Sequence, residues 1–422
     1  MSIKVVVGAN WGDEGKGRMV DYLARDAACV VRYQGGNNAG HTVINEHGEF
    51  KLHLLPSGVF YPDVVNILGP GMVIDLERLI DEIDELNAQG IQPNFRISDR
   101  ATICFPFHRL EDGLEEDRLG DNAYGSTRRG IAPAYGDRTV KKAIQVGELL
   151  YPDRFEARIK EIGTWKLERL ESFYGKKDLF SIDEMIEWGR SCALRLRDHI
   201  TDTSLLLEEA AQQDQAILFE AQLGTLRDLN FGIYPFTTSS CTLAAYAPVG
   251  GGLFGYPPTQ VVAVVKAFST CVGEGPFVTA METEEADALR ESAKEFGAST
   301  GRPRSIGHFD AVATRYGVWA QGATDVALTK LDCLSGRKSL KIATHYTWNG
   351  ALYDRFPLNA VLEEAKPIYK EMPGWEENIT GIRSFDALPE AAKAYVLEIE
   401  QLINCPITFV SVGPEREALI LR

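Results

Sequence analysis

The chain has 422 residues, of which 45% are hydrophobic and 25% charged, a composition typical of a soluble globular protein with a sizeable core. Its formal net charge of −16 argues against a nucleic-acid-binding surface, because such surfaces are basic. The seven cysteines include no C-x-x-C pair, and no stretch approaches about 18 uninterrupted apolar residues, so we expect no disulfide framework, zinc site or membrane span. A strand that starts at the third residue leaves no room for a signal peptide, and we expect a cytoplasmic protein.

The predicted elements alternate between strands and helices. Short β-branched runs that end in glycine or polar loops predict buried strands over residues 3–8, 29–33, 216–220, 261–267 and 326–328. Helical spacing predicts a helix over residues 18–25, and charged, helix-favouring stretches predict surface helices over 75–89 and 151–213. This order is typical of an α/β fold with a mostly parallel central sheet and crossover helices. We expect a single domain over residues 1–422, with helical insertions around 75–120 and 151–213.

The first strand runs into a glycine-rich loop over residues 8–17. A strand, a glycine-rich turn and a helix present backbone amides and a positive helix terminus to phosphate, and Lys16 adds a point charge. The loop is similar to a P-loop, but Gly17 stands where a Ser or Thr would hold Mg²⁺. Two carboxylates, Asp13 and Glu14, lie inside the loop instead, and Asp13 is a candidate metal ligand or general base.

Four further loops carry candidate binding groups. Residues 34–42 combine three glycines and two asparagines with His41, which is placed to protonate or hydrogen-bond a phosphate oxygen. Residues 329–332 follow an apolar strand and are similar to the guanine-reading motif of GTPases. Residues 299–304 place two hydroxyl and two guanidinium groups on a short loop suited to a bidentate grip on carboxylates. The hydroxyl-rich residues 125–130 and 237–240 suit a phosphate monoester.

Several strings along the chain together resemble the adenylosuccinate synthetase family. They run in order from residue 3 to about residue 418, and the most specific are Trp11-Gly12-Asp13-Glu14-Gly15-Lys16-Gly17 and Asn38-Ala39-Gly40-His41-Thr42. Others are Arg32-Tyr33-Gln34-Gly35-Gly36, His53-Leu54-Leu55-Pro56-Ser57-Gly58, Gly273-Glu274-Gly275-Pro276, Thr329-Lys330-Leu331-Asp332 and Met372-Pro373-Gly374-Trp375. The resemblance implies a P-loop-NTPase-like GTP-binding ligase fold.

The resemblance also implies an activity, the GTP-dependent ligation of L-aspartate to IMP through a 6-phosphoryl-IMP intermediate, with Mg²⁺ and a homodimer. Asp13, His41 and Lys16 would be catalytic, and Asp13 and the Gly40 carbonyl would hold the metal. GTP would bind Gly12, Glu14, Gly15, Lys16, Gly17, Gly40, His41, Thr42, Lys330, Asp332, Ser411 and Gly413. IMP would bind Asp13, Asn38, Thr127, Lys141, Gln222, Leu223, Thr238 and Arg302, and aspartate would bind Ser299, Thr300, Arg302 and Arg304.

The chain departs from the family pattern mainly around the acceptor base. Leu223 replaces the glutamine expected to contact hypoxanthine, unless Gln222 takes its place after a shift of the loop. Lys141 replaces the arginine that the partner subunit would contribute, which keeps the charge and loses the bidentate fork. Two alternatives therefore stay open: an enzyme acting on another 6-oxopurine nucleotide such as GMP, and a non-catalytic GTP-binding regulator. Retention of Asp13 counts against both.

Overall fold

The computed structural model describes residues 2–297 and 301–422, and twenty β-strands and twelve α-helices lie within these ranges. The strands are β1 Ile3–Gly8, β2 Cys29–Arg32, β3 His41–Asn45, β4 Gly48–Leu52, β5 Val65–Leu68, β6 Val73–Ile74, β7 Phe95–Ser98, β8 Thr102–Ile103, β9 Ile200–Thr201, β10 Ile217–Glu220, β11 Gln260–Lys266, β12 Ser269–Cys271, β13 Ser305–Gly307, β14 Phe309–Asp310, β15 Asp325–Thr329, β16 Ser339–Trp348, β17 Ala351–Tyr353, β18 Lys366–Pro373, β19 Ile407–Ser411 and β20 Leu419–Leu421. The helices are α1 Lys16–Ala24, α2 Leu76–Ala88, α3 Pro106–Leu119, α4 Ile131–Thr139, α5 Pro152–Tyr174, α6 Ile182–Leu196, α7 Thr203–Gln212, α8 Ala247–Gly251, α9 Thr283–Ser292, α10 Ala311–Gln321, α11 Asn359–Leu362 and α12 Glu390–Ile403.

A ten-stranded sheet organises these elements, in the order β20-β19-β15-β11-β1-β10-β2-β5-β7-β9. Every neighbouring pair is parallel except β19 and β20 at one edge, which are antiparallel. The α/β class with a mostly parallel central sheet is thus confirmed. Each strand predicted over 3–8, 29–33, 216–220, 261–267 and 326–328 is present within one residue or two of the expected bounds.

Both faces of the central strand β1 are buried, as parallel sheets require. Alternate residues point to opposite faces. Val5 and Val7 belong to the largest hydrophobic cluster, whereas Val6 packs in a smaller cluster with Met19 and Val20 of α1. Packing of α1 against β1 fixes the direction in which the intervening glycine-rich loop leaves the sheet.

The predicted helical insertions form helices α2 and α3 in the first stretch and α5, α6 and α7 in the second. Helices α2, α3, α5 and α6 contribute to a second hydrophobic cluster, which contains Phe105, Phe155 and the strand residue Phe95. The same stretches also supply β7 and β9 to one end of the main sheet. Within the described ranges, no helix is long and apolar enough to cross a bilayer.

Parallel strands place their carboxyl ends at the same edge of the sheet, where ligands of open α/β folds bind. The loops that follow β1, β2, β10, β11, β15 and β19 therefore leave from one edge. These are the loops in which the sequence places most of the candidate residues.

Candidate active site

Direct contacts join the loops at the carboxyl edge of the sheet. The hydroxyl of Thr329, the last residue of β15, donates a 2.7 Å hydrogen bond to the backbone carbonyl of Glu14. On the opposite side of the loop, a Cβ added to Gly12 would lie 3.2 Å from the Cα of Leu223, and the φ of Gly12 is 103°. The glycine is thus required both for its backbone conformation and for this close approach.

The two carboxylates of the glycine-rich loop point in different directions. The Glu14 side chain is only 2% exposed and accepts a 2.8 Å hydrogen bond from the backbone amide of Gly12. Its second oxygen accepts a 2.6 Å hydrogen bond from Lys16, which is equally buried. Asp13, with a φ of 60°, keeps 30% of its side chain exposed. Glu14 therefore shapes the loop from inside, and Asp13 is the carboxylate available to a ligand.

Arg304 contacts the Asp13 carboxylate directly. Its Nε and Nη2 lie 3.0 Å and 2.9 Å from Asp13 Oδ2, and its Nη1 lies 2.5 Å from Glu295 Oε2. A residue predicted for aspartate binding thus meets the predicted general base, 291 residues away in sequence. Arg302 is exposed on the same loop, and the predicted Ser299 and Thr300 lie outside the described residues.

His41 is buried and held by a carboxylate. Its Nδ1 lies 2.5 Å from Glu220 Oε1, which requires that this nitrogen carry the proton if Glu220 is ionised. Ser57 fixes Glu220 in turn, with hydrogen bonds of 2.6 Å from its hydroxyl and 2.7 Å from its amide. The Nε2 of His41 is buried and has no hydrogen-bond partner within the described part of the chain. This nitrogen is free to meet a ligand.

Burial and neighbouring charges shift the pKa values of both members of this pair. Burial lowers the pKa of His41, although the neighbouring Glu220 opposes the shift. Burial alone would raise the pKa of Glu220, but His41 and the Arg32 guanidinium hold that pKa below its ordinary value. Glu220 and Ser57 were not among the predicted site residues. The available signal was a carboxylate at the end of an otherwise apolar strand.

Gln222 is locked in place beside Asn38. It is fully buried, its Nε2 donates a 2.7 Å hydrogen bond to Asn38 Oδ1, and its Oε1 accepts a hydrogen bond from Arg32 Nη2. Leu223 is half-buried with a φ of 58°. Two side-chain hydrogen bonds therefore fix the orientation of the Gln222 amide.

The other residues predicted for the acceptor nucleotide lie in separate loops. Thr127 and Thr238 are half-buried, and the amide of Thr238 donates a 2.8 Å hydrogen bond to the carbonyl of Arg227. Lys141 is exposed just beyond α4 and has a φ of 65°. Their roles stay predictions.

At the predicted guanine end of the site, Lys330 follows β15 with a φ of 62°. Its ammonium group donates a 2.6 Å hydrogen bond to the carbonyl of Ala293. Asp332 is half-buried, and burial raises its pKa. The hydroxyl of Ser411, the last residue of β19, donates a 3.1 Å hydrogen bond to the carbonyl of Gly413.

Helix α1 holds the loop that follows Ser411. Arg18 donates hydrogen bonds of 3.0 Å and 2.8 Å to the carbonyl of Glu415 and one of 2.8 Å to that of Ala418. Arg416 forms a bidentate pair with Asp21, at 2.6 Å and 2.8 Å. The helix that begins at the glycine-rich loop therefore also fixes the loop that contains Gly413.

The donor set for a metal is small. No group of three or more His, Cys, Asp and Glu side chains among the described residues is arranged to hold a metal ion. Both Arg304 contacts to Asp13 end on Oδ2 of the carboxylate. One partly exposed carboxylate beside a phosphate-type loop fits Mg²⁺, which takes one or two protein carboxylates together with substrate phosphates.

Comparisons with known proteins identify the family of the chain. Residues 5–420 match the family model described as adenylosuccinate synthetase. Adenylosuccinate synthetase 2 of Pseudoalteromonas translucida is 54% identical over 99% of both chains, and the adenylosuccinate synthetase of Caldanaerobacter subterraneus is 46% identical over 100% of this chain and 99% of its own.

Two solved structures are also similar. Fully ligated adenylosuccinate synthetase from Plasmodium falciparum has a TM-score of 0.93 and 32% identity, with both chains covered completely. Succinoaminodeoxyadenylate synthetase of cyanophage S-2L, solved with dGMP and with dATP as an energy donor, has a TM-score of 0.60 and 18% identity, covering 100% of this chain and 95% of its own. The second likeness extends to the fold alone. On the family match and the full-length relatives, the chain belongs to the adenylosuccinate synthetase family.

Proposed function

We propose that the chain ligates L-aspartate to IMP at the expense of GTP, with Asp13, Lys16 and His41 as its catalytic residues. The products are adenylosuccinate, GDP and phosphate. Family membership supports the overall reaction. The observation that carries the residue assignment is the meeting of the glycine-rich loop with β15 and with the loop after β10 at one edge of the sheet.

Asp13 is the general base of this proposal. Its carboxylate removes the N1 proton of the hypoxanthine ring, which makes O6 nucleophilic, and O6 then attacks the γ-phosphorus of GTP. The left-handed backbone of Asp13 directs this carboxylate out of the loop while Glu14 stays inside it. The Arg304 guanidinium leaves Asp13 as it takes up a substrate carboxylate, so that Asp13 becomes available together with aspartate.

His41 and Lys16 stabilise the charge that develops on the phosphates. The Nε2 of His41 is the ring nitrogen without a hydrogen-bond partner among the residues that the structure describes, and Glu220 fixes the orientation of the ring. Arrival of a polyanion beside this nitrogen favours the imidazolium form, which donates a hydrogen bond to a phosphate oxygen. Such phosphoryl transfer depends mainly on positioning and on charge stabilisation.

We propose that Asp13 and the Gly40 carbonyl would hold Mg²⁺ together with the phosphates of the substrate. When bound, the ion supplies positive charge that polarises the transferred phosphoryl group. Lys330 and Asp332 would bind the guanine, Ser411 and Gly413 would also contact GTP, and Thr300, Arg302 and Arg304 would bind the aspartate. Asn38, Thr127 and Thr238 would hold the 5′-phosphate of IMP.

We further propose a cytoplasmic homodimer in which Lys141 of one subunit serves the site of the other. The exposure of Lys141 beyond α4 supports a role at a subunit boundary. The seven free cysteines support a reducing compartment. Analytical ultracentrifugation of the wild type and a mixing assay between inactive Asp13→Ala and Lys141→Ala subunits test this arrangement.

A direct assay tests the proposed reaction. The protein is incubated with GTP, Mg²⁺, L-aspartate and IMP, and adenylosuccinate is quantified by chromatography. Wild type is expected to form product and Asp13→Ala to form none, with an unchanged circular dichroism spectrum. Asp63→Ala, which removes an exposed carboxylate before β5, is the matched control and retains full activity. Appreciable turnover by Asp13→Ala would refute the role of Asp13 as base.

A further inference from the structure

A buried carboxylate, Glu295, lies between two parts of the site that the chain keeps far apart in sequence. It follows α9 and is fully buried. Three cations surround it: Lys266 Nζ and Arg304 Nη1 lie 2.7 Å and 2.5 Å from its Oε2, and Lys330 Nζ lies 3.3 Å from its Oε1. One carboxylate thus contacts a cation of the proposed aspartate site and a cation of the proposed guanine site.

Lys266 anchors Glu295 to the central sheet. It is the last residue of β11, is 4% exposed, and also donates a 2.8 Å hydrogen bond to the hydroxyl of Thr270. Burial lowers the pKa of Lys266 to about 8, whereas Lys266 and its fellow cations overcome the effect of burial on Glu295 and lower that pKa to about 2. The carboxylate is therefore ionised and held by a rigid strand.

The geometry of Arg304 gives Glu295 a positioning role. Nη1 binds Glu295, while Nε and Nη2 on the other side of the guanidinium bind Asp13. If Nε and Nη2 move from Asp13 to a substrate carboxylate, the bond from Nη1 to Glu295 can persist as a pivot. The planar fork of arginine allows two such bonds in different directions at once.

Lys330 is held by Glu295 and by the neighbouring Ala293. Its Nζ is bound by the carbonyl of Ala293 at 2.6 Å and attracted by Glu295 at 3.3 Å. Ala293 and Glu295 are two residues apart, so this short segment fixes the end of the lysine side chain, and with it the stem that would cover the guanine. Displacement of the Glu295 carboxylate would remove one partner from Arg304 and one from Lys330 together.

We propose that Glu295 is a positioning residue that sets the affinity for both aspartate and GTP by holding Arg304 and Lys330. The inference rests on the proposed function. It assigns to Glu295 no contact with either substrate.

Initial-rate kinetics of Glu295→Gln test the proposal. Loss of the negative charge that holds Arg304 and Lys330 is expected to raise KM for aspartate and KM for GTP about tenfold each, with kcat less affected. KM for IMP is expected to stay close to the wild-type value, because neither Arg304 nor Lys330 belongs to the proposed IMP site. Glu295→Asp keeps the charge and is expected to recover part of both affinities.

The matched control is Glu291→Gln, which removes an exposed carboxylate four residues earlier at the same helix end and is expected to behave as wild type. If Glu295→Gln does not fold, Glu295→Asp alone must raise both KM values in the same direction. A rise in only one of them, unchanged values for both, or an equal rise in KM for IMP would overturn the proposal. Failure of wild type and Glu291→Gln to make adenylosuccinate would instead refute the proposed function.

Discussion

Replacement of Glu220 by Gln tests how the protein activates His41. The substitution preserves size and removes the charge that faces Nδ1 of His41 at 2.5 Å. An amide can still accept one hydrogen bond from Ser57 or from the imidazole, so the backbone of β10 is not expected to move. What is lost is the stabilisation of the imidazolium form when phosphate binds at Nε2.

The size of the effect follows from the geometry. Hydrogen bonds to charged groups contribute about 1.5–3 kcal/mol, and the His41 to Glu220 bond is short and fully buried. Since about 1.4 kcal/mol corresponds to a factor of ten, kcat is expected to fall about 10- to 150-fold. Ser57→Ala removes one hydrogen bond to Glu220 but leaves the carboxylate, and a smaller loss of a few-fold is expected.

The measurement is kcat and KM for GTP as a function of pH, for wild type, Glu220→Gln and Ser57→Ala. If Glu220 stabilises the imidazolium form of His41, the loss in Glu220→Gln is mainly in kcat and becomes larger as pH rises, because the imidazolium is then harder to form. Equal kcat values for wild type and Glu220→Gln across the pH range would refute the role of Glu220 in orienting and charging His41.

Three further predictions concern other parts of the chain. The pKa of His41 is lowered in the free protein, and the bound triphosphate is expected to raise it. GTP binding should then take up a proton and weaken as pH rises. Calorimetry in buffers of different ionisation enthalpy measures this uptake, which should vanish in His41→Asn. Arg18→Ala removes three hydrogen bonds to the loop after β19 and is expected to raise KM for GTP about tenfold with little change in KM for IMP; equal changes in both would contradict this. Burial raises the pKa of Glu82 to about 7, from an ordinary value of 4.5, so its folded-state pKa lies above its unfolded one and the stability it gives when protonated is lost as pH rises from about 4.5 through 7. Glu82→Gln should therefore abolish a decline of up to about 3 kcal/mol in the free energy of unfolding over this range. Denaturation at several pH values measures it. An equal decline of the unfolding free energy in wild type and Glu82→Gln would contradict the raised pKa of Glu82.

Most of the central sheet was predictable because its inner strands are continuous apolar runs. β1, β10, β11 and β15 are of this kind. β5 escaped prediction because Asn66 interrupts its apolar run, and the side-chain amide nitrogen of Asn66 donates a hydrogen bond to the distant carbonyl of Asn94. β9 has two residues and is defined only by its pairing with β7. Such strands exist because of tertiary contacts, which leave no local pattern.

The candidate site also contains residues that a local sequence pattern indicates and contacts that no local pattern indicates. Asp13, Lys16 and His41 could be found because phosphate-binding loops have a local signature of glycines and cations after a strand. The pairings with Glu220 and Glu295 could not be predicted, since nothing in the sequence near His41 or Arg304 indicates which carboxylate each one contacts. Glu220 lies 179 residues from His41. Long-range pairing of charges, rather than local spacing, completes the site.

The identity of the acceptor nucleotide is the most direct test of the central claim. Purified wild type is supplied with GTP, Mg²⁺ and L-aspartate and with either IMP or GMP, and the succinyl nucleotide is quantified by mass spectrometry. Wild type is expected to form adenylosuccinate from IMP and to use GMP far more poorly as an acceptor, despite the leucine at position 223. Product from GMP but none from IMP would contradict it.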